Sequence, residues 1–314
     1  MIRRVYKTPH VNGLGTGGAG YRHDIILIGA STGGVEALRD LVSRLPGDLP
    51  AAVFVVVHLP ENAPSALPKI LDRAGPMRAV HPEDGEEIRA GRIYVAPPNL
   101  HLLVESGRVC LGPGPKENRH RPAVDTLFRS AAEAYGRRVV GVVLTGALND
   151  GTDGLVAVKR RGGVAVVQDP KDAMFPSMPE SALEYVEADH VVTLDALPPV
   201  LTDLVEESPE TTEVVPVPED MEAEARVARG DPNPPEDIEK FGTPSAFSCP
   251  ECHGPFVGDP GRGPVPLPLP GGPRLHRRER AGRAVRDDRG GALRRPQRPP
   301  GERRDVREAR RKRP

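Results

Sequence analysis

Two hydrophobic rhythms alternate along the chain. Continuous apolar runs rich in β-branched residues read as strands: "HDIILIGA" (23–30), "AAVFVVVH" (51–58), "RIYVAPP" (92–98), "VVGVVLTG" (139–146), "VAVVQD" (164–169) and "HVVTL" (190–194). Between them lie stretches whose apolar residues recur at three and four: "VEALRDLVSRL" (35–45), "APSALPKILDRAG" (63–75), "PAVDTLFRSAAEAYG" (122–136), "DGLVAVKRRG" (153–162), "PESALEYVE" (179–187) and "DALPPVLTDLVEE" (195–207). These read as helices, the third opened by Pro122 and closed by Gly136. "LHLLVESGRVCLGP" (100–113) reads as a hairpin turning at Ser106-Gly107. Strands that alternate with helices give an α/β fold. Strands apolar throughout, with no polar face, give a mainly parallel sheet buried on both sides, so the expected class is a doubly wound sheet with flanking helices and one β-hairpin.

The rhythm is expected to occupy residues 23–206. Residues 1–22 are polar and glycine-rich and read as a disordered extension without the apolar core of a secretory signal. Residues 207–243 are acidic and proline-bearing and read as a flexible linker. Beyond 256 the chain turns basic, with 17 arginines in 256–314. The formal charge of −1 over the whole chain argues against a polyanionic partner, so no nucleic acid is expected. No apolar run reaches the ~20 residues of a membrane span, so no membrane insertion is expected either. The three cysteines, Cys110, Cys249 and Cys252, are too few for a disulfide framework, which suits a reducing cytoplasm.

Open parallel sheets bind ligands outside the carboxyl ends of their strands. Ser31 follows the first strand, His58 ends the second, and Asp150 lies just past "VVGVVLTG". A serine, a histidine and a carboxylate on one sheet edge can fill the three roles of acyl transfer: attack, proton transfer and orientation of the imidazole. Gly29-Ala30-Ser31-Thr32-Gly33 fits the G-x-S-x-G elbow, and the helix it opens has free N–H groups, Gly33 among them, for an oxyanion site. A glycine-rich turn after a first strand can equally cradle a phosphate, although "GASTGG" lacks both G-x-G-x-x-G spacing and a P-loop lysine. His58 alone can be a polar strand end, and Asp150, beside Gly151, a turn or cap residue. The order Ser, His, Asp differs from the Ser, Asp/Glu, His order of α/β-hydrolases.

"IGASTGGVEAL", "VVVHLP", "RIYVAPPNLHL", "RPAVDTLF", "VVLTGALNDGTDGL" and "AVVQDPKDAMFPSMPESAL" together resemble the catalytic domain of CheB-type protein-glutamate methylesterases over residues 23–203. The resemblance implies Ser31 as nucleophile, His58 as general base and Asp150 as orienting carboxylate, with Thr32 lining the site. It implies hydrolysis of γ-glutamyl methyl esters on a chemoreceptor or other methylated protein, with methanol released, and deamidation of glutamine through the same glutamyl-serine ester. No cofactor is implied. The implied partners are the methylated receptor, a separate methyltransferase and a response regulator. The chain departs from the family pattern in three places. Only about 22 residues precede the first strand, so gating by an attached N-terminal receiver domain is not expected. Ala147 stands where the family carries a methionine flanking the site, and Val57 precedes His58 where the family has glutamine. Arg121 reads equally as facing the cleft or an acidic receptor surface and as a solvated arginine, whereas His81, His101 and His120 read as surface or loop histidines and Cys110 as packing. The competing class is a non-catalytic receptor- or partner-binding module with a vestigial triad; a third class is a nucleotide-binding protein using residues 29–34.

"FSCPECHGPF" carries Cys249-x-x-Cys252, one half of a zinc knuckle within 244–256, with no further cysteine to complete four ligands. "VPLPLPGGP" (265–273) can be encoded so that a one-nucleotide shift reads Phe-Arg-Cys-Arg-Cys-Arg-Val-Gly, which would supply the missing half. Residues 257–314 are therefore expected to be a frameshifted reading, the rival being a basic disordered tail, and in both cases no occupied metal site and no folded structure are expected there.

Overall fold

The computed structural model describes residues 22–58, 65–207 and 216–230, together with the strand backbones at 243–248, 255–259 and 263–268. The N-terminal extension, the cysteine pair and the chain beyond 268 lie outside the described residues. The strands are β1 (Ile25–Ala30), β2 (Ala52–Val57), β3 (Arg78–Val80), β4 (Arg92–Val95), β5 (His101–Glu105), β6 (Arg108–Gly112), β7 (Val139–Val143), β8 (Val164–Gln168) and β9 (His190–Val192), then β10 (Thr243–Ser248), β11 (Pro255–Asp259) and β12 (Gly263–Pro268). The helices are α1 (Gly34–Arg44), α2 (Leu67–Ala74), α3 (Val124–Tyr135), α4 (Thr152–Arg160), α5 (Ser177–Tyr185), α6 (Leu197–Glu206) and α7 (Glu219–Arg229).

Seven strands form one parallel sheet in the order β3-β4-β2-β1-β7-β8-β9. All six residues of β1 and of β2 are buried, the result of covering both faces. Strand alternation divides the core into two layers. Ile25 and Leu27 point toward Phe128 of α3, Leu155 of α4 and Met178 of α5. Ile26 and Ile28 point toward Leu38 and Leu41 of α1, Leu71 of α2 and Leu201 of α6. The chain leaves β1 toward β2 on one side and returns to β7 on the other, so the strand order reverses at β1. The helices after β1 and β7 therefore lie on opposite faces of the sheet, the arrangement at which open parallel sheets place their ligand sites. The expected α/β class is present. The short strand β3 escaped the sequence pattern because only Ala79 of its three residues is buried.

The hairpin β5–β6 stands apart from the sheet against α3, where the Val104 N–H donates to the Ser130 hydroxyl at 3.1 Å. Helix α7 corrects the expectation of a flexible linker across 207–243. Met221, Ala225 and Ala228 recur at helical spacing and are 1–2% exposed. The strongly acidic composition around them masked this stripe. Strands β10, β11 and β12 pair antiparallel with one another and correct the expectation of no folded structure as far as residue 268. The alternating apolar residues of "PVPLP" and the extended bias that proline imposes on its preceding neighbour suit a strand.

Candidate active site

Ser31 is the first residue past β1, where Gly33 turns the chain into α1 at φ 79°, a conformation that costs a glycine little and a side-chain-bearing residue much. The turn is braced from neighbouring loops. The Ser31 N–H donates to the Thr145 carbonyl at 3.1 Å, and the Thr145 hydroxyl donates to the Thr32 carbonyl at 3.1 Å. Gly146 lies so near that a Cβ there would sit 2.9 Å from the Ser31 Cβ and collide with the Met178 sulfur. Among the described residues, no acceptor is recorded for the N–H groups of Thr32, Gly33 or Ala147. These amides lie at the turn into α1 and in the facing loop after β7.

His58 extends from the end of β2. Its Nδ1 is 3.1 Å from Ser31 Oγ and its Nε2 is 2.7 Å from Asp150 Oδ2. Asp150 is 1% exposed and accepts four hydrogen bonds. Oδ2 takes the His58 Nε2–H and the Val124 N–H at 2.7 Å. Oδ1 takes the Asn118 side-chain N–H at 2.8 Å and the Asp125 N–H at 3.1 Å. Two of these donors are the first amides of α3, so a helix N-terminus points at the carboxylate. Burial works to raise the Asp150 pKa. The bonds from His58, Val124 and Asn118 outweigh it and hold the carboxyl well below the usual range. An ionised carboxylate only accepts, so the Nε2 of His58 carries the proton and Nδ1 turns a lone pair toward Ser31.

Three residues absent from the sequence-based set complete the site. Asn118 bridges two carboxylates, donating to Asp125 Oδ2 at 2.7 Å as well as to Asp150. Asp125, 1% exposed, accepts the Gly151 N–H at 3.0 Å and the Gly154 N–H at 2.6 Å and so fixes the turn that carries Asp150 into α4. Burial, and then the neighbouring Asp150 charge, push its carboxyl well above the usual range. His120 stacks on His58 with centroids 3.6 Å apart and planes 8° from parallel. Burial lowers its pKa to about 4, so it stacks as a neutral ring. Asn118 and His120 share a tight turn closed in both directions between Glu117 and His120, with Asn118 at φ 50° and Arg119 at φ 70°. Paired left-handed residues of this kind make a strained turn, and such strain concentrates at functional sites.

Other expected residues fall elsewhere. Arg121 does not point a free guanidinium into the cleft. It donates from Nε and Nη2 to Asn99 Oδ1 at 3.1 and 2.7 Å and from Nη1 to the Pro113 and Gly114 carbonyls at 3.0 and 2.8 Å. Its fork geometry fits these acceptors and ties the loop down. His101 is fully buried, not a surface residue: its Nε2–H donates to the Pro115 carbonyl at 2.8 Å, and burial lowers its pKa. His81 pairs through Nδ1 with the Val95 carbonyl at 2.9 Å. Burial pushes the Cys110 thiol up to about 11, consistent with packing. Asp125 carried a signal in the sequence, as an acidic residue in the first turn of the helix after Pro122, whereas His120 carried none. Beside the serine turn, Met174 and Phe175 are 65% and 40% exposed, and Leu148, in the loop after β7, is 55% exposed. A Cβ on Gly33 would touch Met174, and the Phe175 N–H donates to the Thr145 hydroxyl at 2.8 Å. Among the described residues no cluster has a metal-ligand set, and no helix is long and apolar enough to cross a membrane.

Residues 26–201 match the family model described as CheB methylesterase. A relative from Leptospira interrogans is 38% identical over 176 residues, covering 56% of this chain and 91% of the relative. A protein from Anaeromyxobacter dehalogenans, named protein-glutamate methylesterase/protein-glutamine glutaminase 5, is 43% identical over 184 residues. The match covers 57% of this chain and 51% of that protein, so the chain spans about half the length of this longer relative. The crystal structure of the Thermotoga maritima CheB methylesterase catalytic domain superposes with a TM-score of 0.56 at 36% identity, covering 58% of this chain and 98% of that domain. With the strand order reversing at β1 and these matches together, the chain belongs to the CheB methylesterase family.

Proposed function

We propose that the protein hydrolyses γ-glutamyl methyl esters on a chemoreceptor or related signalling protein, with Ser31, His58 and Asp150 as a catalytic triad. The observation that carries this reading is the bridge made by His58, 3.1 Å from the serine oxygen on one side and 2.7 Å from the buried carboxylate on the other. Ser31 Oγ attacks the ester carbonyl while His58 Nδ1 takes its proton. The N–H groups of Thr32, Gly33 and Ala147 are the candidate donors to the developing oxyanion. Collapse of the tetrahedral intermediate breaks the C–OMe bond, and the His58 proton leaves with methoxide as methanol. Water, deprotonated by His58, then attacks the glutamyl-serine ester and releases free glutamate and Ser31. A glutamine side chain follows the same route with ammonia as the leaving group. The curated relative from Anaeromyxobacter bears both activities in its name. The exposed side chains of Met174 and Phe175 beside the serine turn are apolar surface suited to a protein substrate. A cytoplasmic location fits a receptor's signalling portion as substrate.

Methanol release from a methylated receptor, followed for wild type and Ser31→Ala, tests the reading. The variant is expected to lose about 10³-fold or more in kcat, because the nucleophile acts as part of a unit. Equal rates for the two proteins would remove the triad from the mechanism.

A further inference from the structure

Helix α7 lies beyond the family-matched residues 26–201, yet it is built into the same unit. It packs across α3 and the hairpin β5–β6, with Met221, Ala225 and Ala228 buried. The approach is close enough that the Gly114 N–H donates to the Ala228 carbonyl at 3.2 Å, and a Cβ at Gly112 or Gly114 would collide with that oxygen. At its C-terminal end Arg229 Nε lies 2.8 Å from Glu105 Oε1 of the hairpin. Nearer its N-terminal end, Glu224 Oε2 lies 2.9 Å from Nε of Arg129.

Arg129 is a residue of α3 with a side chain only 3% exposed. Its Nη2 donates to both oxygens of Glu117, at 2.7 and 2.6 Å. Glu117 is the first residue of the tight turn that ends at His120. That turn presents Asn118 to Asp150 and stacks His120 on His58. A continuous chain of contacts therefore runs from α7 through one buried guanidinium to both supports of the proposed triad. A buried arginine facing two carboxylates holds Glu117 in one place. With one carboxylate gone, Arg129 retains less compensation for its burial, and a repositioned guanidinium takes Glu117 with it.

We propose that α7 is a positioning strap for the active site and that Glu224, acting through Arg129 and Glu117, is a positioning residue for His58 and Asp150. The assignment rests on the triad reading above. It gives this chain an internal control point: anything that parts Glu224 from Arg129 loosens the turn that orients the base.

The test uses the full chain and three variants, Glu224→Gln, Glu224→Asp and Arg229→Gln. Arg229→Gln loosens the docking of α7 on the hairpin without touching Arg129. Methanol release gives kcat and KM, thermal unfolding gives stability, and the imidazole ¹H–¹⁵N resonances of His58 and His120 report the stack directly. Glu224→Gln is expected to lower kcat by about tenfold with KM nearly unchanged, part of the ~100-fold that misplacement of a reacting group by an ångström costs. It is also expected to shift both imidazole signals. Glu224→Asp is expected to recover most of the rate, and Arg229→Gln to keep wild-type kcat and wild-type imidazole signals. Unmoved imidazole signals in Glu224→Gln would overturn the proposal, as would equal losses in Glu224→Gln and Arg229→Gln that follow stability alone. A wild-type protein that releases no methanol would overturn the esterase reading instead, while the imidazole spectra still decide the role of Glu224.

Discussion

At the scale of single residues, the site is organised around one anion. Asp150 sits in the core with four donors around it, so its charge is fixed before any substrate arrives, and that charge fixes the tautomer of His58. Replacing Asp150 by asparagine keeps the shape but lets the side chain donate to His58 Nε2, which turns the proton toward Ser31 instead of away from it. A loss of about 10⁴-fold in kcat is expected from that wrong tautomer, read from the same methanol assay; a loss below tenfold would remove Asp150 from the proposed role. His120 makes a separate prediction about stability. Its pKa is depressed from 6.5 to about 4, so between these values the unfolded chain binds a proton that the folded chain refuses. Stability must then rise with pH across the window and fall as pH is lowered through it. Urea midpoints measured across that range should slope less steeply in His120→Gln than in wild type, whatever the variant's overall stability. Parallel slopes would mean that His120 titrates normally. Ser31, His58 and Asp150 were legible in the sequence because each sits where a strand ends. His120 and Asn118 were not: a ring stack and a bridging amide depend on a loop path, and no periodicity encodes one.

At the scale of elements, two helix starts do different work. The first amides of α3 bind Asp150 directly, while Asp125, on that same first turn, accepts from Gly151 and Gly154 and so caps α4. Strand runs were easy to read because a parallel sheet covered on both faces admits no polar alternation. Helix α7 was hidden for the opposite reason. Its sequence carries enough glutamate to look like linker, and only the spacing of Met221, Ala225 and Ala228 betrays a buried stripe. The docking of α7 depends on Gly112, whose missing Cβ leaves room for the Ala228 carbonyl. Gly112→Ala is expected to cost about 1–3 kcal/mol, the usual penalty of forcing atoms into a filled site. Faster hydrogen exchange along α7, with β1 and β7 unchanged, would mark the loss as local. Unaltered exchange in α7 would show that the helix does not rest on this contact.

At the scale of the whole molecule, the reversal of strand order at β1 explains why three residues far apart in sequence meet. Ser31, His58 and Asp150 follow β1, β2 and β7, which are neighbours in the sheet although 92 residues separate His58 from Asp150. The sheet supplies the edge, the start of α3 holds the carboxylate, and the hairpin and α7 form a wall packed on α3. That wall ends at Gly230, and the strands beyond it pair with one another. A chain ended after Gly230 should therefore keep both its melting temperature and its esterase rate. A chain ended after Glu207 loses the helix packed on α3 and the hairpin and removes Glu224 from the buried Arg129. An under-compensated buried charge costs about 1–3 kcal/mol. For a domain of this size that lowers the melting temperature by roughly 2–10 °C. Its esterase rate should fall further than its stability at the assay temperature accounts for, because the turn carrying Asn118 and His120 has lost its anchor. Equal melting curves for the two shortened chains would mean that α7 adds nothing to the catalytic unit, and the core of that unit would then end with α6.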